Sequence, residues 1–71
     1  MTKEEIWEYA KEITYNGVTI TFKDRNSKVG FFHLNTLHSK EYNNNLWNFK
    51  EPSIGKVMVL NGEDIVSIVL N

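Results

Sequence analysis

The first stretch of the chain repeats its apolar residues at helical spacing. Ile6, Ala10 and Ile13 fall on one face of a helix, and the glutamates of the same segment fall on the opposite face. This separation of apolar and charged positions is typical of a helix that packs one side against a protein core. The sequence therefore predicts an amphipathic helix over about residues 3–14.

Both ends of this segment carry further signals. Thr2 and Glu5 have the spacing of a capping box, in which each side chain accepts a hydrogen bond from the other residue's backbone amide. Gly17 suits the position just past the helix end, because glycine adopts a positive φ without strain. An alternative stays open, since Asn16–Gly17 is also a typical two-residue turn of a β-hairpin. The pattern favours the helix.

From residue 18 onward the apolar period changes from helical spacing to two. Val18, Ile20 and Phe22 alternate with polar residues, which predicts a strand with one buried face. Gly30 marks a bend or a close backbone approach in the next strand. Polar and turn-forming residues separate the remaining apolar runs. The pattern predicts five strands over about residues 18–71, at 18–23, 28–35, 46–49, 57–60 and 65–70.

One helix followed by five short strands in 71 residues indicates a mainly β fold and a single domain over residues 1–71. A strongly bent antiparallel sheet has two exposed edges, and closure into a small barrel removes them. SH3-like and OB-like barrels both fit the number of strands. We expect a five-stranded SH3-like barrel with an N-terminal helix.

Two segments resemble the sequence motifs of Sm-like (LSm) proteins. The first is Val18–Asp24 followed by Gly30-Phe31-Phe32, and the second is Leu60–Ile68. The resemblance spans nearly the whole chain, and it implies a barrel that assembles head to tail into rings and binds uridine-rich RNA. Two features depart from the family. Asn61 stands where the second motif has an arginine, and the region after the second strand is longer than the Asp-x-apolar-Asn group found there in the family.

The loop at 37–45 contains the kinds of side chain that contact nucleotides. Aromatic rings stack on bases, amides bond to base edges, and lysine meets phosphate. We consider these side chains, with the Asn-Gly turn of the second motif, as candidate ligand contacts: His38, Lys40, Tyr42, Asn43, Asn44, Asn45, Asn61 and Gly62. The structural alternative is a solvated loop and a hairpin turn, because asparagine and glycine are common in both.

The composition argues against an enzyme and against a bound metal or other cofactor. The chain has no cysteine and two histidines, so thiolate sites are excluded and a histidine site lacks an obvious third ligand. No Ser-His-Asp order, glycine-rich phosphate loop or paired acidic motif occurs. We therefore expect a non-catalytic binding module with no metal site.

Charge and hydropathy bear on partners and location. Eight lysines and arginines against nine acidic residues give a net charge of −1, whereas nucleic-acid-binding domains usually have a strong basic excess. No signal-peptide pattern or long apolar run is present, and the absence of cysteine suits a reducing compartment. The sequence predicts a cytoplasmic protein without a membrane partner.

The last strand predicts self-association. Between Ile65 and Leu70 only Ser67 is polar, so both faces of this strand need cover. Pairing with the fourth strand of a neighbouring copy would supply that cover and give a homo-oligomer, closed into a ring if the rotation permits. The competing explanation is that the helix covers the strand within one copy. The candidate interface residues are Val57, Val59, Val66 and Val69.

Two classes of function remain. One is an Sm-like module that binds single-stranded RNA or a nucleotide through the 37–45 loop and the Asn61–Gly62 turn. The other is a protein-interaction, assembly or regulatory accessory module of bacterial or phage type, which binds a protein partner and no nucleic acid. Motif spacing favours the first class, and net charge favours the second.

Overall fold

A computed structural model of the chain describes residues 1–12, 14–33 and 40–71. Its strands form one antiparallel sheet in the order β4-β3-β2-β1-β5. A helix precedes this sheet, which confirms the predicted mainly β class. The elements in chain order are α1 (Lys3–Ala10), β1 (Val18–Phe22), β2 (Ser27–Phe32), α2 (Lys40–Asn43), β3 (Leu46–Glu51), β4 (Lys56–Asn61), a 3₁₀ segment (Gly62–Asp64) and β5 (Ile65–Leu70).

The predicted capping box starts α1. The Thr2 hydroxyl accepts a hydrogen bond from the Glu5 amide at 3.2 Å, and the Glu5 carboxylate accepts one from the Thr2 amide at 2.9 Å. Ile6 and Ala10 are buried, as the apolar pattern predicts. The third predicted face residue, Ile13, lies outside the described residues.

The helix ends at Ala10 and does not reach residue 14 as predicted. The sequence that follows includes Ile13, Thr14 and Tyr15, which are β-branched or aromatic and form helices poorly. Gly17 has the expected positive φ of 72°, but it sits at the entrance to β1 and not at the helix end. The alternative hairpin around Asn16–Gly17 is not formed either, because Val18 pairs with β2 on one side and β5 on the other.

The concave face of the sheet and the apolar face of α1 enclose the core. The alternation of β1 and β3 places every second residue on this face, so that Trp47 and Phe49 are fully buried beside Ile20. Phe32 packs edge-on against both Trp47 and Phe49. The buried apolar residues are Ile6, Ala10, Val18, Ile20, Trp47, Phe49, Leu60, Ile65 and Ile68.

The regular sheet is interrupted at two places, Gly30 on β2 and a bulge on β5. Gly30 lies so close to the Lys50 carbonyl and the Phe49 ring that a Cβ would have no room, which explains the glycine predicted to mark a close approach. On the other side, the pairing of β1 with β5 shifts register between Thr21 and Phe22. Val66 is the extra residue of this bulge.

The expected barrel is not closed, because β4 and β5 are the two edges of the sheet and do not pair with each other. They follow each other through the three-residue 3₁₀ segment, whose buried Gly62 turns the chain sharply at one corner of the sheet. From that corner β4 runs along β3 and β5 runs along β1. Strands of five or six residues leave the two edges apart.

Two other boundaries differ from the sequence prediction. Part of the predicted 36–45 loop is the short helix α2, and β3 continues to Glu51 just before Pro52. The predicted end of β2 at residues 34 and 35 lies outside the described residues. Within the described ranges, no helix has the length and apolar character needed to cross a membrane.

Candidate functional site

The fold brings together the two segments predicted to share a site. The amide of Gly62 donates a hydrogen bond to the carbonyl of Asn45 at 2.7 Å, which joins the 3₁₀ segment to the start of β3. A Cβ at Gly62 would overlap the Asn45 side chain. Two segments therefore form one continuous surface: residues Tyr42–Asn45 and the Asn61–Gly62 turn.

Within this surface, Asn45 bonds to the protein itself. Its side-chain amide donates to the Met1 carbonyl at 2.8 Å, and its side-chain oxygen accepts from the indole nitrogen of Trp47 at 2.9 Å. Its backbone has a positive φ of 60°, a conformation that asparagine tolerates better than most residues. Asn45 thus connects the N-terminus, β3 and the 3₁₀ segment, and these bonds occupy both polar atoms of its side chain.

The side chains that face solvent lie on α2 and just after it. Asn43 and Asn44 are exposed, and Tyr42 is half-buried with its ring edge-on to Trp47 at 5.5 Å between centroids. The ammonium of Lys3 lies 5.6 Å from the centre of the Tyr42 ring and 3.5 Å from the Asn43 carbonyl. His38 and the side chain of Lys40, the other predicted contacts in this loop, lie outside the described residues.

Lys3 is a site residue that the sequence interpretation missed. It belongs to α1 and is distant in sequence from the loop, so no local pattern connects it with Tyr42. The capping box was the available signal, because it fixes where α1 starts and hence which way Lys3 points.

Asn61 has a structural role as well as an exposed position. Its side-chain oxygen accepts a hydrogen bond from the Glu63 amide at 3.0 Å and so caps the 3₁₀ segment. Acidic side chains follow at Glu63 and Asp64, and a depression beside them is lined by Glu5 and Lys23 as well as Glu63. The Met1 ammonium also lines this depression and donates to the Gly62 carbonyl at 2.9 Å, so carboxylates and cations are balanced here.

A second candidate surface consists of the sheet edges. On β4 the exposed fractions are 54% for Val57 and 60% for Val59, and on β5 they are 53% for Val66 and 57% for Val69. All four predicted interface valines are therefore on the surface. Both edges also lack the proline and, apart from Lys56 at the start of β4, the lysine that commonly prevent association of edge strands.

The outer face of the sheet is also partly apolar, which the sequence interpretation did not anticipate. Val29 is 51% exposed and Phe31 36% exposed on β2, an internal strand of the sheet. In the register of the sheet, Val29 and Val69 are both partners of Thr19. The exposed apolar surface of β5 therefore continues across β1 to β2.

No metal-binding cluster occurs in the part of the chain that the structure describes. There, no three side chains of His, Asp or Glu lie close enough to hold a metal ion. No protein-family model, curated protein or solved structure matches this chain.

Proposed function

We propose that this protein is a non-catalytic assembly module whose copies associate by pairing β4 of one copy with β5 of the next. The observation that carries the proposal is the position of these two strands. They are the two edges of one sheet, and each presents two valines that are more than half exposed.

The physical argument concerns unpaired backbone groups. An edge strand presents a row of amides and carbonyls that can pair with another chain, and apolar side chains on the edge add a favourable burial term. Because β4 of one copy pairs with β5 of the next in this proposal, the contact is head to tail, and such contacts form rings or open filaments. The resemblance to Sm-like proteins supports the ring, since members of that family assemble in this manner.

Analytical ultracentrifugation of four proteins tests the proposal. We expect the unmodified chain to sediment as a multiple of 8.3 kDa, and Val66→Lys or Val69→Lys to give a folded single copy. A lysine at these positions would carry its charge into the interface, where leaving it unpaired is costly.

Val29→Lys is the matched control, because Val29 has nearly the same exposure but lies on an internal strand. We expect this variant to assemble like the unmodified chain. A single copy near 8.3 kDa at every concentration of the unmodified chain would contradict the proposal.

Binding of single-stranded nucleic acid is the second candidate function, and one observation favours it. The Lys3 ammonium, the Tyr42 ring and the exposed amides of Asn43 and Asn44 lie together beside the Asn61–Gly62 turn. A cation, an aromatic ring and amides are the groups that proteins use to hold phosphates and unstacked bases. The net charge of −1, without the basic excess usual for nucleic-acid-binding domains, places this function second.

Fluorescence anisotropy with labelled uridine and adenine oligonucleotides at low salt tests this second function. We expect Tyr42→Ala to weaken binding by about 1–3 kcal/mol, the usual contribution of one stacked base. Tyr15→Ala is the control, because Tyr15 is 98% exposed and lies outside the proposed site. Absence of binding to both oligonucleotides would leave assembly as the sole proposed function.

A further inference from the structure

The chain contains two Asn-Gly sequences, Asn16–Gly17 and Asn61–Gly62, and their surroundings differ. In such a pair the glycine amide nitrogen can attack the asparagine side-chain carbon, because glycine has no Cβ to hinder the approach. The new C–N bond closes a succinimide ring, and the side-chain nitrogen leaves as ammonia. Water then opens the ring and gives either aspartate or isoaspartate.

At Asn61–Gly62 the fold holds both reacting groups. The Gly62 amide donates to the Asn45 carbonyl at 2.7 Å, and the Asn61 side-chain oxygen accepts from the Glu63 amide at 3.0 Å. The Asn45 side chain also fills the space next to Gly62. Attack at Asn61 therefore requires both of these hydrogen bonds to open.

At Asn16–Gly17 the hydrogen bonds involve the backbone carbonyls and not the two groups that react. Asn71 donates through its side chain to the Asn16 carbonyl at 3.4 Å and through its backbone to the Gly17 carbonyl at 3.0 Å. Neither bond uses the Gly17 nitrogen or the Asn16 side chain. Asn16 is exposed in the irregular segment between α1 and β1, whereas Gly17 is buried beside the Gly30 carbonyl. The contrast with Asn61 therefore rests on the hydrogen bonds and not on packing around the glycine.

We propose that Asn16 is a site of spontaneous deamidation in the folded protein and that the fold protects Asn61 from the same reaction. The product carries a new carboxylate at residue 16, and in the isoaspartate form the backbone gains a methylene group. Both changes occur next to the Asn16 and Gly17 carbonyls, which accept hydrogen bonds from Asn71 directly after β5. An effect on assembly through β5 would rest on the proposed function, whereas the reaction itself does not.

Peptide mapping by mass spectrometry tests the proposal on the full-length chain. The folded protein and a sample unfolded in urea are incubated side by side at mildly alkaline pH, and conversion at both asparagines is followed with time. In urea we expect similar rates, because the local sequences are alike. In the folded protein we expect Asn16 to react at least about tenfold faster than Asn61, the factor that the loss of one hydrogen bond corresponds to.

Asn16→Gln is the matched variant, because its longer side chain must close a larger and less favourable ring. We expect it to remove the reaction at residue 16 and to leave Asn61 unchanged. Equal rates at the two positions in the folded protein would overturn the proposal. So would a folded Asn16 that stays intact while the unfolded chain reacts.

Discussion

At the scale of single residues, Asn45 connects the N-terminus, β3 and the 3₁₀ segment. It bonds to Met1, to Trp47 and, through its backbone, to Gly62. The sequence groups it with Asn43 and Asn44 as three similar ligand contacts. The structure separates them, because only the third of these asparagines has a positive φ and turns its side chain inward.

This difference gives a prediction for stability. Asn45→Ala removes the acceptor of the buried Trp47 indole and places alanine at positive φ, so we expect a loss of about 2–4 kcal/mol in the free energy of unfolding. Asn45→Gly should lose less, because glycine relieves the backbone strain. Urea denaturation measures both variants.

Asn44→Ala is the control for this series, because Asn44 is exposed. We expect its effect to stay within about 0.5 kcal/mol. If Asn44→Ala and Asn45→Ala destabilised the protein equally, the role assigned to the bonds of Asn45 would be wrong.

At the scale of elements, the capping box at the start of α1 contains a titratable group, the Glu5 carboxylate. Hydrogen bonds from Thr2 lower the pKa of Glu5 below its ordinary value of 4.5. The backbone amide of Thr2 has the larger effect, and its hydroxyl has the smaller one. A carboxyl group with a lower pKa in the folded state stabilises the fold above its unfolded pKa. That stabilisation is lost as the pH falls through the folded pKa.

We therefore expect helical content and resistance to urea to decline on acidification below pH 4.5. Glu5→Gln should flatten this part of the profile, because glutamine keeps the capping geometry without a titrating group. Circular dichroism at several pH values measures the change. Glu4→Gln is the control, since the neighbouring Glu4 is also in the first turn but is not part of the capping box. A profile that Glu5→Gln leaves as steep as before would contradict the assigned cause.

How far the sequence predicts these elements depends on how local their causes are. The capping box and the alternation of β1 are local patterns, and the structure confirms them. The chain turns at Asn61–Gly62, but through a 3₁₀ segment and not through the expected hairpin, because β4 and β5 do not pair. The predicted helix extended beyond the observed end of α1 at Ala10. Ile13 fits the apolar face of a helix, but this spacing does not show that the residues around it form helices poorly. The predicted closure of the sheet into a barrel was wrong. Closure depends on the relative position of β4 and β5, which no local pattern determines.

The same limit applies to the candidate site. The sequence identified the segments of Asn45 and Gly62, and the fold places them in contact. It could not distinguish a residue that bonds inward from one that faces solvent, since two partners of Asn45, Met1 and Gly62, are distant in sequence. Lys3 was missed for the same reason.

At the scale of the whole molecule, two different edges on one sheet determine what kind of assembly is possible. If β4 pairs with β5 of the next copy, each junction uses one edge from each partner, and every copy takes part in two junctions. A two-fold dimer would instead pair like with like, β5 with β5 or β4 with β4. The two arrangements respond differently when variants are mixed.

Val59→Lys blocks β4 and leaves β5 intact, whereas Val69→Lys blocks β5 and leaves β4 intact. Alone, each variant lacks a junction with two intact edges, so we expect both to sediment as single copies. Mixed, the β5 of the first variant can pair with the β4 of the second, and growth then stops because both outer edges are blocked. The mixture should therefore form a one-to-one dimer, measurable by sedimentation and by native mass spectrometry.

In a like-with-like dimer, whichever edge forms the contact stays intact in one of the variants, so that variant would dimerise alone. Dimers of a single variant, with no gain on mixing, would exclude head-to-tail assembly.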